Sequence, residues 1–121
     1  MSNNFADLKV YERAYKASLE IHKISLKFPQ IEQHELGSQI RRASKSISMN
    51  IAEGYGKRES LAEFRRYLIM AQGSNDEVRV QLRYCKDLGY INEEEYAKHD
   101  AEYVEIGKML TKTRQNWQNF K

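Results

Sequence analysis

A single cysteine, a single proline and six glycines stand in a chain of 121 residues. With Cys85 alone, an internal disulfide is excluded, and the usage suits a reducing cytoplasm. So little proline and glycine leaves nearly every position free to be helical. No apolar run approaches the roughly 20 residues of a membrane-spanning helix, so no membrane partner is expected. The opening MSNNFADLK has neither the basic region nor the apolar core of a secretory signal. No segment alternates β-branched and polar residues as a half-buried strand does, and no internal repeat or long linker is present. Also missing are a Ser-His-Asp order, a His-Glu-x-x-His pair and a phosphate-cradling glycine loop. His22 has no cysteine or second histidine four residues on, so it reads as a satisfied side chain and not a metal ligand. The expectation is a chain with no catalytic residues, no metal, no cofactor and no small-molecule substrate.

What is present is an ordinary soluble balance, 40% apolar and 31% charged, enough for one domain with its own core over residues 1–121. The formal net charge of +3 conceals segregation. Residues 1–38 balance, residues 39–86 carry ten basic and five acidic groups, residues 87–106 carry one basic and seven acidic, and residues 107–121 carry four basic and no acidic. Such asymmetry fits a polyanion partner, and it equally fits copies of the chain pairing through opposite patches.

Four helices are predicted, over about 8–27, 35–53, 60–88 and 92–118. In the first, Asp7 is the expected N-cap, and Leu8, Tyr11, Tyr15, Leu19, His22 and Leu26 recur at spacings of three and four as one face. Phe28-Pro29 closes it. In the second, Leu36, Ile40, Ala43, Ile47 and Ile51 form the apolar face, and Gly54 is the expected residue just past its end. The third has Leu61, Phe64, Leu68, Ala71, Asn75, Val78, Leu82 and Cys85 in unbroken alternation, Ser60 and Glu63 as a capping box, and Gly89 as its stop. The fourth opens on Asn92 and Glu95 and continues through Tyr96, His99, Tyr103, Ile106, Leu110, Thr113 and Trp117. Lys112 and Arg114 lie near its negative end, where cations are favoured. Four amphipathic helices on short turns predict an all-α, antiparallel up-down-up-down four-helix bundle.

The stretch QIRRASKSISMNIAEG from Gln39, AQGSNDEV at Ala71–Val78 and LGYI at Leu88–Ile91, with the opening FADLKVYERA, resembles the 23S rRNA intervening-sequence protein family, also called the four helix bundle proteins. The resemblance spans nearly the whole chain. It implies a bacterial cytoplasmic protein that assembles as a ring-like homopentamer. Family motif positions carry over at Gln39, Arg41, Arg42, Ser46, Asn50, Ile51, Ala52, Glu53 and Gly54, then at Gly73, Ser74 and Glu77. Two positions depart: Ser48 where the family commonly has proline, and Asn75 where an apolar residue is usual.

The candidates for nucleic-acid contact are Arg41, Arg42, Lys45, Lys57, Arg58, Arg65 and Arg66, with Tyr55 placed in a turn to stack on an unpaired base. A charged helix face is more often simply solvated. Glu53, at the negative end of the second helix, calls for an arginine, with Arg42, Arg58 and Arg66 the candidates. Asn75 in an apolar stripe suggests a device for register or assembly. Gly73, costly in a helix interior by about 1 kcal/mol relative to alanine, suggests close approach of another helix. Glu53, Glu59, Glu63 and Glu77 sit among arginines and lysines, which favours ion pairing over acid–base work. The functional expectation is an oligomeric binding or scaffold protein acting on RNA or another nucleic acid. The alternative is a structural or protein-binding oligomer whose arginines serve subunit contacts.

Overall fold

The computed structural model describes residues 5–117, and among them there are four α-helices and no strand. These are α1 (Lys9–Ser25), α2 (Leu36–Gly56), α3 (Leu61–Asp87) and α4 (Glu93–Asn116), with short 3-10 turns at Phe5–Asp7 and Gln30–Glu32. The predicted extension of the last helix to residue 118 falls outside the described residues. Neighbours in sequence pack on one another, and α4 closes on α1. The meeting residues run in opposite order on each pair. His22 meets Lys45 and Ser25 meets Arg41. Ser46 meets Ser74, and Glu53 meets Tyr67. Arg65 reaches Arg114, Asn75 reaches Tyr103 and Arg79 reaches Asp100.

The start and the buried face of α1 differ from expectation. Leu8, not Asp7, is the extended residue before the helix, and no side chain caps it. Leu8 is buried, so the chain turns where that side chain enters the core. Inside the helix the core face is Val10, Ala14, Ala17, Ser18, Ile21 and Ser25. Of the stripe read as core, Tyr15, Leu19 and Leu26 are 44%, 43% and 59% exposed. Both stripes obey helical spacing, and periodicity alone cannot rank them. Small residues decide it, because Ala14, Ala17, Ser18 and Ser25 let α1 lie close to its neighbours. The two serine hydroxyls bond back to the carbonyls of Tyr15 and His22, at 2.7 and 2.8 Å, so their burial leaves no donor stranded.

The core faces of α2 and α3 match the sequence pattern. Ile40, Ile47, Ile51, Phe64, Ala71, Val78, Leu82 and Cys85 have no exposed surface. The end of α2 does not match. The helix runs through Gly54 to Gly56, so Gly54 is interior and does not stop it. A Cβ added at Gly54 would sit 2.6 Å from Tyr67 Cβ and 3.3 Å from the Phe64 ring. Glycine is therefore required by a close crossing of α2 and α3, not by a left-handed turn. That conformation occurs only at Gly89, with φ 84°, among the described residues. There the Gly89 and Tyr90 amides bond back to Lys86 and Cys85 at 3.0 and 2.8 Å, the paired bonds that close a helix on glycine. At the α3 start, Ser60 caps the Glu63 amide, but the Glu63 carboxylate turns to Arg66, so only half of the expected box forms. The Asn92–Glu95 box at the α4 start is complete.

Asn75 is buried and donates from Nδ2 to the Tyr103 carbonyl at 2.8 Å. Gly107, one turn on in α4, leaves room for it: a Cβ there would lie 3.1 Å from Asn75 Nδ2. This bond ties the register of α3 to α4 inside one chain.

Substituting Gly54 with alanine is expected to destabilise the fold by about 1–3 kcal/mol through overpacking. Gly56→Ala, in the same final turn with nothing within 4 Å of an added Cβ, is expected to be neutral or stabilising by up to about 1 kcal/mol. Urea denaturation of the two variants checks the pair. A second expectation concerns pH. Burial raises the Cys85 thiol from 9.0 to about 12 and raises the Tyr103 phenol, while burial lowers the His99 imidazole below 6.5. A raised acid adds stability that is complete below its unfolded value and is lost as pH climbs from about 9.0 towards about 12. A depressed histidine adds stability that is complete above 6.5 and is lost as pH falls below it. Thermal unfolding followed across pH should therefore show a plateau between those two limits and a falling midpoint on either side.

Candidate nucleic-acid interface

One end of the bundle is built by the α2–α3 turn and the last turn of α4. Trp117 packs edge-on against Phe64 and Tyr55, with ring centroids 5.1 and 5.9 Å away. Arg65 Nε reaches the Arg114 carbonyl at 3.3 Å, satisfying one of the free carbonyls at that helix end. Lys57 and Arg66 are exposed, and both lie over the Tyr67 ring, 5.8 and 4.7 Å from its centroid. Arg58 lies 4.0 Å over the Tyr55 ring and donates to the Tyr55 carbonyl at 2.9 Å. The aromatic faces hold the cations in place. Arg66 also pairs with Glu63 at 3.1 Å, and that hydrogen bond holds the Glu63 carboxyl below its ordinary value.

The opposite end is acidic. Asp87, Glu93, Glu94 and Glu95 surround the α3–α4 turn, and Tyr90 from that turn donates to Glu32 of the α1–α2 connection at 2.8 Å. That bond raises the Tyr90 phenol pKa. Arg83 and Lys86 of the basic segment lie at this end too, against Asp87, so the charge segregation along the sequence is only partly carried into the bundle.

Not every predicted contact residue is free to serve. Tyr55 is 2% exposed, because α2 continues past it and turns its ring inward against Phe64 and Trp117; it cannot stack on a base. Arg41 points inward, with Nη2 on the Gln33 carbonyl at 2.7 Å and Nη1 on Ser25 Oγ at 2.8 Å. It ties α2 to the connection that precedes it. Arg42 is exposed and donates to Ser38 at 3.2 Å. Lys45 is half-buried on the α1–α2 side, its ammonium 2.9 Å from His22 Nδ1. Arg42 and Lys45 therefore lie apart from the cluster at the end of the bundle.

The remaining motif residues converge on the outer seam between α2 and α3. Ser46 and Ser74 share a hydrogen bond at 2.8 Å, and Asn50 Nδ2 donates to the Ser46 carbonyl at 2.9 Å. Gln39, Arg42 and Glu77 line a shallow hollow with these serines. Further along, Tyr67 donates to Glu53 at 3.1 Å. Among the described residues no arginine pairs with Glu53, where one was expected. Because α2 runs on past Glu53, that carboxylate is not at the last carbonyls, and one phenol serves it. Gly73 lies on the exposed side of α3, and a Cβ there would meet nothing within 4 Å, so no helix of this chain approaches it. Sequence reasoning missed Arg114 as a neighbour of Arg65, since only the closing of α4 brings them together. Among the described residues no three His, Cys, Asp or Glu side chains gather as metal ligands, and no helix is long and apolar enough to cross a membrane.

Comparison with solved structures finds a protein of unknown function from the S23 ribosomal protein family of Bacteroides thetaiotaomicron VPI-5482. It has a TM-score of 0.81 at 23% identity, covering 88% of this chain and 96% of that one, a likeness of fold. Comparison with curated proteins finds no match. The sequence profile described as 23S rRNA-intervening sequence protein matches residues 6–112, and the chain belongs to that family.

Proposed function

We propose that the chain is a non-enzymatic, up-down-up-down bundle that assembles with itself and binds RNA or another nucleic acid through its basic end, as a cytoplasmic scaffold. The observation that carries this is the gathering of Lys57, Arg58, Arg65 and Arg66 beside Arg114 at one end, with the acidic turn at the other. A guanidinium already positioned over an aromatic ring loses little entropy when it meets a phosphate, which would displace the Glu63 carboxylate from Arg66. An excess of positive charge at one end also orients an approaching polyanion. Several copies around a ring, the homopentameric form implied by the resemblance, would add modest contacts into useful avidity. The family's name supports an RNA context, and Arg42 and Lys45 would extend the contact along α2. The second reading is a structural oligomer that binds protein. It is favoured by the exposed apolar side chains of α1 and α3.

Fluorescence anisotropy with a labelled single-stranded RNA, titrated at several salt concentrations, tests the first reading. Lys57→Gln and Arg66→Gln should each weaken binding and reduce the slope of log affinity against log salt by about 0.7. Arg41→Gln should leave that slope unchanged while lowering stability, since its bonds are internal. No binding at low salt, or slopes unmoved by Lys57→Gln and Arg66→Gln, would refute the proposal.

A further inference from the structure

A groove of about 430 Å³ runs between α3 and α4, lined by Gln72, Asn75 and Asp76 from one helix and by Gly107, Lys108 and Lys112 from the other. Gln115 carries it into the last turn of α4, beside Arg114 and its contact with Arg65. Gly107 forms part of the floor. A Cβ there would stand 3.1 Å from Asn75 Nδ2 and 3.2 Å from Gln72 Nε2.

The two walls differ in chemistry. On the α3 wall the groups left over are acceptors. Asn75 is 1% exposed, and among the described residues its Oδ1 has no partner. That amide cannot turn over, because Nδ2 is held by the Tyr103 carbonyl at 2.8 Å. Gln72 Oε1 beside it is likewise without a partner, and both oxygens are shut off from water. On the α4 wall Lys108 and Lys112 are exposed, and among the described residues neither forms a salt bridge. Like charges at i and i+4 repel mildly, and a shared anion relieves that. Arg79, further along, is already paired with Asp100 at 2.9 Å.

A ligand matching both walls carries N–H donors on one side and negative charge on the other, with the depth of the groove between them. A free amino acid fails, since its ammonium and carboxylate share one carbon. A nucleotide fits, because the exocyclic amino group of cytosine or adenine lies at the far edge of the base from the phosphate. We infer that the groove takes one unpaired, amino-bearing base of the bound strand, the half-buried Gln72 swinging outward to admit it, with the amino group donating to Asn75 Oδ1 and flanking phosphates resting on Lys108 and Lys112. This rests on the nucleic-acid reading above and deepens it by naming a class of base and the residues that read it. Uracil is disfavoured, because its O4 would set an acceptor against a buried acceptor and leave both unpaired.

Fluorescence anisotropy with labelled oligocytidylate and oligouridylate of equal length tests this, since the two bases differ at the edge that meets Asn75. Wild type should bind the cytidine strand about tenfold more tightly. Asn75→Leu should bring the two affinities together, with a melting curve to check that it folds. Gly107→Ala, which fills the floor of the groove, should do the same and stands in if Asn75→Leu does not fold. Lys108→Gln and Lys112→Gln should each weaken both strands alike and reduce the salt slope by about 0.7. Equal wild-type affinity for the two strands, or a preference that the Asn75 and Gly107 variants leave unmoved, would overturn the groove contact while nucleic-acid binding stands. Binding of neither strand at low salt would overturn the nucleic-acid reading and this one with it. Unlabelled cytidine monophosphate displacing the cytidine strand at equal concentration would overturn the strand as the source and assign the groove to a free nucleotide.

Discussion

The tightest constraint in the molecule is the crossing of α2 and α3 at Gly54. With Tyr67 Cβ only 2.6 Å from where a Cβ would stand, the two backbones approach as closely as a missing side chain allows. That approach buries Tyr55 against Phe64 and Trp117, so the end of α4 is drawn to the same place. It also sets Tyr67 where its phenol meets Glu53 and its ring supports Lys57 and Arg66. The basic end of the bundle is thus a consequence of packing around one glycine, and its cations are oriented by aromatic rings whose positions that glycine decides.

Away from the crossing, α3 is held to its neighbours by small polar links. Ser46 and Ser74 join it to α2, while Asn75 joins it to the backbone of α4 beside Gly107. A buried amide in an otherwise apolar stripe is energetically poor, since Asn75 Oδ1 has no partner. It gives direction in return, because sliding α3 by one turn would separate Nδ2 from the Tyr103 carbonyl. Apolar layers alone would tolerate such a slide more readily.

The exposed apolar side chains and the clustered cations occupy different parts of the surface. The exposed apolar stripes lie along the flanks of α1 and α3, whereas the cation cluster lies at an end. Arg41 belongs to neither, since its guanidinium closes the α1–α2 connection.

The sequence by itself determined four helices, the core faces of α2 and α3, the cap at Asn92 and the stop at Gly89. Each of these depends on local spacing or on one residue's conformational preference, and both are visible in a string of letters. It also determined the segregation of charge, which is composition alone. It misjudged α1, where two stripes share the same period and only contact with the other helices selects the one built on Ala14, Ala17 and Ile21. It misjudged Gly54 and Tyr55 because a glycine that ends a helix and a glycine that admits another backbone look identical in one dimension. Only the tertiary structure decided which arginines face solvent, since Arg41 and Arg42 are adjacent in sequence yet 100° apart around the helix, one turned to Gln33 and the other outward.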